Sequence, residues 1–422
     1  MPQNSKIVFF SDIHIGTNAV TNWYQRSLHE PYLLAAFDYI QQQASSIQEL
    51  VVVGDLVDQW TYEPSRNPPT FAEIAAANPR IFGGVVDGQR IPGALGAVLG
   101  ALDGRVTYVG GNHDMSVTAE DVALIRDEQG RSPHYVRTPL YEPPAGRGGI
   151  ICTHGHIYSL LNAPDFIQNP RTGIPFAHFI TRMAALWSVQ QLAKMAPGTT
   201  AAALPGSGDP TGWPLAKDAL QQLIQEMKLG RVSLSNAVLS SLLELTGQKS
   251  ELTFHMLDGT RLTAADVVKA YPSILDSYEQ TASKSKDIYG PLAGELALAE
   301  VDALNSIVHF AERLGNQGHH KVVVMGHTHV PVDEDEHQLF LGDCLYANCG
   351  FNCPSEPDMK AQDKRRYCTF IEVEIDEAER RFIVSTRYVT DEGGRYQVAP
   401  LPLTPPKSID MSGPGRVATP AA

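Results

Sequence analysis

The sequence predicts an α/β fold, and three observations predict it. Short β-branched runs recur along the 422-residue chain, helical patterns separate several of them, and each run ends in a cluster of Asp, His or Asn. Open α/β sheets hold their ligands beyond the carboxyl ends of strands, where all of these clusters would sit.

In chain order, KIVFF (6–10) runs into Ser11-Asp12-Ile13-His14, and LVVV (50–53) into Gly54-Asp55-Leu56-Val57-Asp58. VTYV (106–109) runs into Gly110-Gly111-Asn112-His113-Asp114, and GIIC (149–152) into Thr153-His154-Gly155-His156. KVVVM (321–325) runs into Gly326-His327-Thr328-His329. Helical patterns are expected at 32–43, 93–102 and 292–314. Two late runs, 367–375 and 381–389, read as a hairpin across Asp376-Glu377, and with 339–345 they predict a second sheet.

Two segments stand outside this pattern. Residues 61–91 carry four prolines and read as a long loop or lid. Residues 157–318 form an insertion between two of the polar clusters and predict a helical cap. Its helical signals are at 213–228, 235–246 and 264–284, the last opening with the capping-box spacing Thr263-Ala264-Ala265-Asp266. The catalytic core is therefore expected at 1–156 and 319–400. The Pro-, Ser-, Gly- and Ala-rich end, 401–422, reads as a disordered tail.

Composition narrows the function class. With 47 acidic and 33 basic side chains the formal charge is −14, which argues against a nucleic-acid partner. No basic start precedes a long apolar run, so no signal peptide is expected, and no apolar stretch reaches the roughly eighteen residues of a membrane span. Five cysteines without an export signal point to reduced thiols and a cytoplasmic location.

The chemistry lies in the clusters taken together. Asp, His and Asn offer carboxylate, imidazole and carbonyl donors suited to Mn, Fe, Zn or Co. Two such ions about 3.5–4 Å apart can share a bridging carboxylate and a bridging hydroxide, and clamp phosphoryl oxygens as phosphorus is attacked. The glycines before Asp55, Asn112 and His327 would let the backbone turn sharply beneath the ions.

The set D-x-H, G-D-x-x-D, G-N-H-D, H-G-H and G-H-T-H resembles the calcineurin-like metallophosphoesterase superfamily. That resemblance implies a four-layer αββα sandwich, two facing mixed sheets flanked by helices, here with the large helical cap inserted. It implies that Asp12, His14 and His329 hold a first metal ion, that Asn112, His154 and His327 hold a second, and that Asp55 bridges both. His113 would face the phosphate and protonate the leaving oxygen, with Asp114 setting its orientation, while Asp58 and His156 would stand behind the ligands. The implied activity is binuclear hydrolysis of a phosphodiester, phosphomonoester or pyrophosphate bond in a small molecule, by attack of a metal-bridged hydroxide on phosphorus. Gly54-Asp55-Leu56-Val57-Asp58-Gln59-Trp60 is similar to the branch that cleaves UDP-diacylglucosamine. That branch, however, has Arg where His113 stands and lacks so large an insertion. Gly-Asn-His-Asp and His-Gly-His are shared with nucleases of the superfamily, against which the acidic balance weighs. A non-catalytic scaffold would have lost ligands, and none is lost here.

Among the histidines outside the motifs, His178, His255, His309, His319, His320 and His337 read as structural or surface groups. The apolar segment 176–195 reads as a helix packing the cap on the core, with a substrate-lining wall as the alternative. Arg182 and Lys194 read as surface charge, with contact to a substrate phosphate as the alternative. A zinc site at Cys344, Cys349 and Cys353 lacks a neighbouring second pair.

Overall fold

The computed structural model describes residues 5–195, 198–199, 233–289, 292–302, 307–329, 338–351, 368–401 and 404–412. The expected helix at 213–228, His337 and Cys353 lie outside the described residues.

The strands in chain order are β1 (Lys6–Phe10), β2 (Ile47–Val53), β3 (Gly84–Val86), β4 (Gln89–Ile91), β5 (Val106–Val109) and β6 (His134–Val136). Then come β7 (Ile150–Thr153), β8 (Thr253–His255), β9 (Arg261–Thr263), β10 (Val322–Met325) and β11 (Gln338–Leu341). The last are β12 (Cys344–Asn348), β13 (Thr369–Asp376), β14 (Arg381–Asp391), β15 (Tyr396–Pro400) and β16 (Lys407–Asp410).

Two mixed sheets carry the fold. The first has the order β15-β14-β13-β1-β2-β5-β6, with β16 beside β14; the second has the order β11-β12-β10-β7. Strands β1, β2, β5 and β6 run parallel, as do β7, β10 and β12. Both faces of the central strands are apolar, so each strand packs on two layers. Ile7, Phe9, Val51 and Val53 meet Cys152, Val322 and Val324 between the sheets. Val8, Phe10, Leu50 and Val52 turn outward onto Leu33, Phe37, Leu95 and Leu99 of helices Arg26–Gln42 and Ala94–Ala101. On the far side, Val323 and Met325 pack with Phe179, Leu239, Tyr271 and Phe310 of the insertion. The result is helices, sheet, sheet, helices, as the resemblance implied.

The grouping of strands differs from the sequence reading. Hairpin β13–β14 joins the first sheet, because β13 pairs antiparallel with β1, while 339–345 falls on β11 and β12 of the second. The five polar clusters are therefore split, three on the first sheet and two on the second. Residues 61–91 are more than a loop. Helix Phe71–Ala77 starts at a capping box in which Thr70 and Glu73 satisfy each other's backbone N–H groups. The expected helix at 264–284 is two helices, Ala264–Ala270 and Ile274–Lys284, broken at Tyr271-Pro272-Ser273 because proline disfavours helix in its predecessor. Part of the tail expected to be disordered is β16, which pairs with β14 through Lys407–Val384 to Asp410–Arg381.

Within the insertion, helix Val308–Gly318 packs on β10 and β12, as the crossover helix of a parallel β7–β10 unit would. The earlier helices bury Phe179, Met183, Leu239 and Tyr271 in the same cluster as the outer face of the second sheet. The insertion thus thickens the fourth layer. No helix among the described residues is long and apolar enough to cross a membrane.

Candidate metal centre

The ends of β1, β2, β5, β7 and β10 converge. His14 Nε2 lies 3.5 Å from Asp55 Oδ2 and 3.1 Å from His329 Nε2, and His329 Nε2 lies 3.3 Å from Asp12 Oδ1. On the other side, His154 Nε2 lies 3.1 Å from Asp55 Oδ2 and 3.0 Å from Asn112 Oδ1. Asp12, His14, His154 and Asp55 are all but fully buried. Three sets of ligand atoms each fall within 4.8 Å of one another: Asp12–His14–His329, Asp12–Asp55–His154 and His14–Asp55–His113.

His327 stands slightly apart. Its ring is 5.2 Å from that of His154 between centroids, while its backbone N–H donates to both Asp12 oxygens at 3.0 Å. His156 is buried near it, 5.3 Å from His154 ring to ring. Burial and the neighbouring His154 push its pKa down to about 3, leaving a neutral ring.

The backbone is strained here. Asp12, His14, Asp55, His327 and His329 all have left-handed φ, between 53° and 71°. For side chains other than glycine each costs about 1–3 kcal/mol and persists where surroundings over-determine it. The surroundings are visible: Asp12 N–H donates to Gly54 O, and Ile13 and His14 N–H both donate to Asp55 O. Gly111 and Gly326 serve close approach, because a Cβ on Gly111 would strike Asp55 and one on Gly326 would strike Ser11 and Asp12. Only Gly54, with φ +84°, turns as the sequence reading expected of all three glycines.

Neighbouring acceptors orient the His14 and His154 rings. His14 Nδ1 sits 3.2 Å from Asp58 Oδ2, and His154 Nδ1 lies 2.9 Å from Val53 O. A proton on each Nδ1 leaves the Nε2 lone pair facing the centre. Asp55 Oδ1 accepts from His113 N–H at 2.8 Å, whereas its Oδ2 is buried with no hydrogen-bond partner. A buried carboxylate oxygen among imidazole nitrogens, without a donor, fits a cation ligand. Burial alone would raise the Asp55 pKa, but His154 and His113 outweigh it and hold the carboxyl well below its usual range.

His113 is bracketed. Its Nδ1 lies 3.1 Å from Asp58 Oδ1, its ring stacks on Trp60 at 4.5 Å, and Trp23 tilts against it at 5.0 Å. Asp114, expected to orient this ring, instead accepts from Gly111 N–H, Leu56 N–H and Tyr108 OH. It ties two ligand loops together, and burial with Asp55 nearby pushes its carboxyl up to about 6.

Sequence reasoning missed the insertion's contribution. Asn162 accepts from Asn112 Nδ2 at 3.3 Å, and His178 meets Trp60 edge to face at 5.2 Å. Arg182, read as surface charge, is fully buried; its guanidinium donates to the carbonyls of Tyr62, Glu63, Pro64, Arg66 and His255. It fastens helix Ala177–Leu192 to the chain just after Asp58. The helical spacing of 178 and 182 was visible in the sequence, but nothing marked what that face would meet. Cys344 and Cys349 are buried free thiols that belong to none of the groups of metal-ligand spacing among the described residues; Cys349 Sγ lies 3.4 Å from Ser11 Oγ.

A family model described as calcineurin-like phosphoesterase matches residues 5–226, just over half of the chain. The match spans the clusters from Asp12 to His156 and ends inside the insertion. No curated protein matches the chain.

Proposed function

Because the chain belongs to the calcineurin-like phosphoesterase family, we propose that it hydrolyses phosphoester bonds of a small molecule at a two-metal centre. The observation that carries this reading is the convergence of Asp12, His14, Asp55, His154 and His329 around a donorless Asp55 Oδ2. Asp12, His14 and His329 would hold one ion, Asn112, His154 and His327 the other, and Asp55 both. Mn, Fe, Zn and Co all suit these donors. When bound, the ions supply Lewis-acid charge to the phosphoryl oxygens and lower the pKa of a water.

The protein's own groups do the rest. Asp58 fixes the His113 ring from Nδ1, which leaves Nε2 to meet the phosphoryl group and to protonate the leaving oxygen. Burial alone would lower the His113 pKa, but Asp58 and Asp55 outweigh it and raise it, which favours the proton-bearing form. Trp60 and Trp23 shield that ring from water and hold its plane. Asp114 keeps the Leu56 and Gly111 loops in register. The Arg182 hydrogen bonds join helix Ala177–Leu192, in the 157–318 insertion that we read as the cap, to the chain at residues 62–66. With Cys152, Cys344, Cys349 and Cys368 as buried thiols among the described residues, we assign the enzyme to the reducing cytoplasm.

The experiment is a screen of the manganese-loaded chain against phosphomonoesters, cyclic and linear phosphodiesters, and nucleoside diphosphate conjugates. Turnover of at least one class, abolished by chelation, is expected. A chain that binds metal yet turns over none of these classes contradicts the reading.

A further inference from the structure

Asn112 is the one proposed ligand whose side chain can present either end. An amide has an oxygen that ligates and an NH2 that cannot, so its orientation decides whether it binds a cation. Here Asn112 Oδ1 faces His154 Nε2 at 3.0 Å, and Nδ2 points away, donating to Asn162 Oδ1 at 3.3 Å. Asn112 is 2% exposed, so this choice is made by protein groups rather than bulk water. Asn162 is itself held: its Nδ2 donates to Ser159 Oγ at 3.0 Å and its backbone N–H to Ser159 O at 3.1 Å. It lies in the turn that follows His154-Gly155-His156, at the start of the insertion, outside every motif read from the sequence.

We propose that Asn162 is a positioning residue for the metal centre. By accepting from Asn112 Nδ2 it turns the Asn112 oxygen toward His154, and it thereby sets the affinity of the position shared by Asn112, His154 and His327. The inference rests on the two-ion reading above. Its consequence is that the Gly-Asn-His-Asp loop does not complete its own ligand: the first turn of the insertion does. If Asn162 only stabilised that turn, its loss would lower the melting temperature and leave metal affinity alone.

The test uses the full-length chain, stripped of metal and titrated with Mn2+, with bound ions counted by elemental analysis and affinity read by calorimetry. Asn162→Ala is expected to weaken one ion about 10- to 100-fold, the usual effect of removing an outer partner of a ligand, and to leave the other unchanged. Asn162→Asp, which still accepts from Nδ2, should bind as the wild type does. The decisive comparison is in an Asn112→Asp background, where either carboxylate oxygen can ligate and no orientation is needed. There the added Asn162→Ala should change affinity by less than about 2-fold, since coupled sites depart from additivity. If the alanine variant does not fold, Asn162→Ser, which keeps a short polar group for the turn but cannot reach Asn112, takes its place. An unchanged affinity in the single variant, or an equal loss in the Asn112→Asp background, overturns the inference. A wild-type chain that binds only one ion contradicts the two-ion reading instead, and the effect of Asn162→Ala on that ion still decides for or against Asn162.

Discussion

The carboxylate of Asp58 lies 3.1 Å from Nδ1 of His113, and its second oxygen lies 3.2 Å from Nδ1 of His14. One buried group thus orients a proposed metal ligand and the proposed proton donor together. Burial alone would raise its pKa, but the two histidines outweigh that and keep it lowered. Asp58 Oδ1 also accepts from the backbone N–H groups of Trp60 and Thr61. An amide in its place offers one acceptor where two are used. Asp58→Asn should therefore lose about 10- to 100-fold in both metal affinity and turnover, with the fold intact by circular dichroism. A loss confined to one of the two would show that Asp58 serves only one ring.

Asp55→Asn should remove metal and activity together. Asp55 Oδ2 faces His14 on one side and His154 on the other, so its loss reaches both ion positions. Elemental analysis of the purified variant checks this, and retention of two ions with normal turnover contradicts the assignment of Asp55.

His113→Ala separates binding from chemistry. The variant should keep both ions and lose about 10²-fold or more in kcat, the usual size of an acid–base contribution. The loss should be smaller with p-nitrophenol as leaving group, which needs no proton. A missing ion would instead place His113 among the ligands, as the close His14–Asp55–His113 set allows.

Arg182→Met should destabilise the chain without touching the metal ligands. It leaves carbonyls of residues 62–66 buried without their donor, at about 3 kcal/mol or more for a buried charged donor that serves several acceptors. Urea unfolding measures the change, and a shift below about 0.5 kcal/mol, the range of ordinary surface substitutions, contradicts the role of Arg182 as the tie.

The proposed ligands stood out in the sequence because each polar cluster interrupts an apolar run where a strand must end. The sheet to which each strand belongs was not legible. In KIVFF, Ile7 and Phe9 face one layer while Val8 and Phe10 face another, so no polar side marks a partner. The Thr70–Glu73 capping box was present in the sequence, but the surrounding prolines masked it. Asn162, His178 and Arg182 were illegible for another reason. Their significance comes from where a long insertion returns to the core, and local pattern carries no information about that.

The central claim is that hydrolysis depends on two ions at this one centre. Its most direct test is the rate of bis(p-nitrophenyl) phosphate and p-nitrophenyl phosphate hydrolysis as Mn2+ is added stepwise to metal-free protein. The account predicts that turnover of one or both esters rises to a plateau as the second ion per chain is bound, and that a chelator returns it to background. Turnover that is complete with one ion, or that survives full removal of metal, would contradict it.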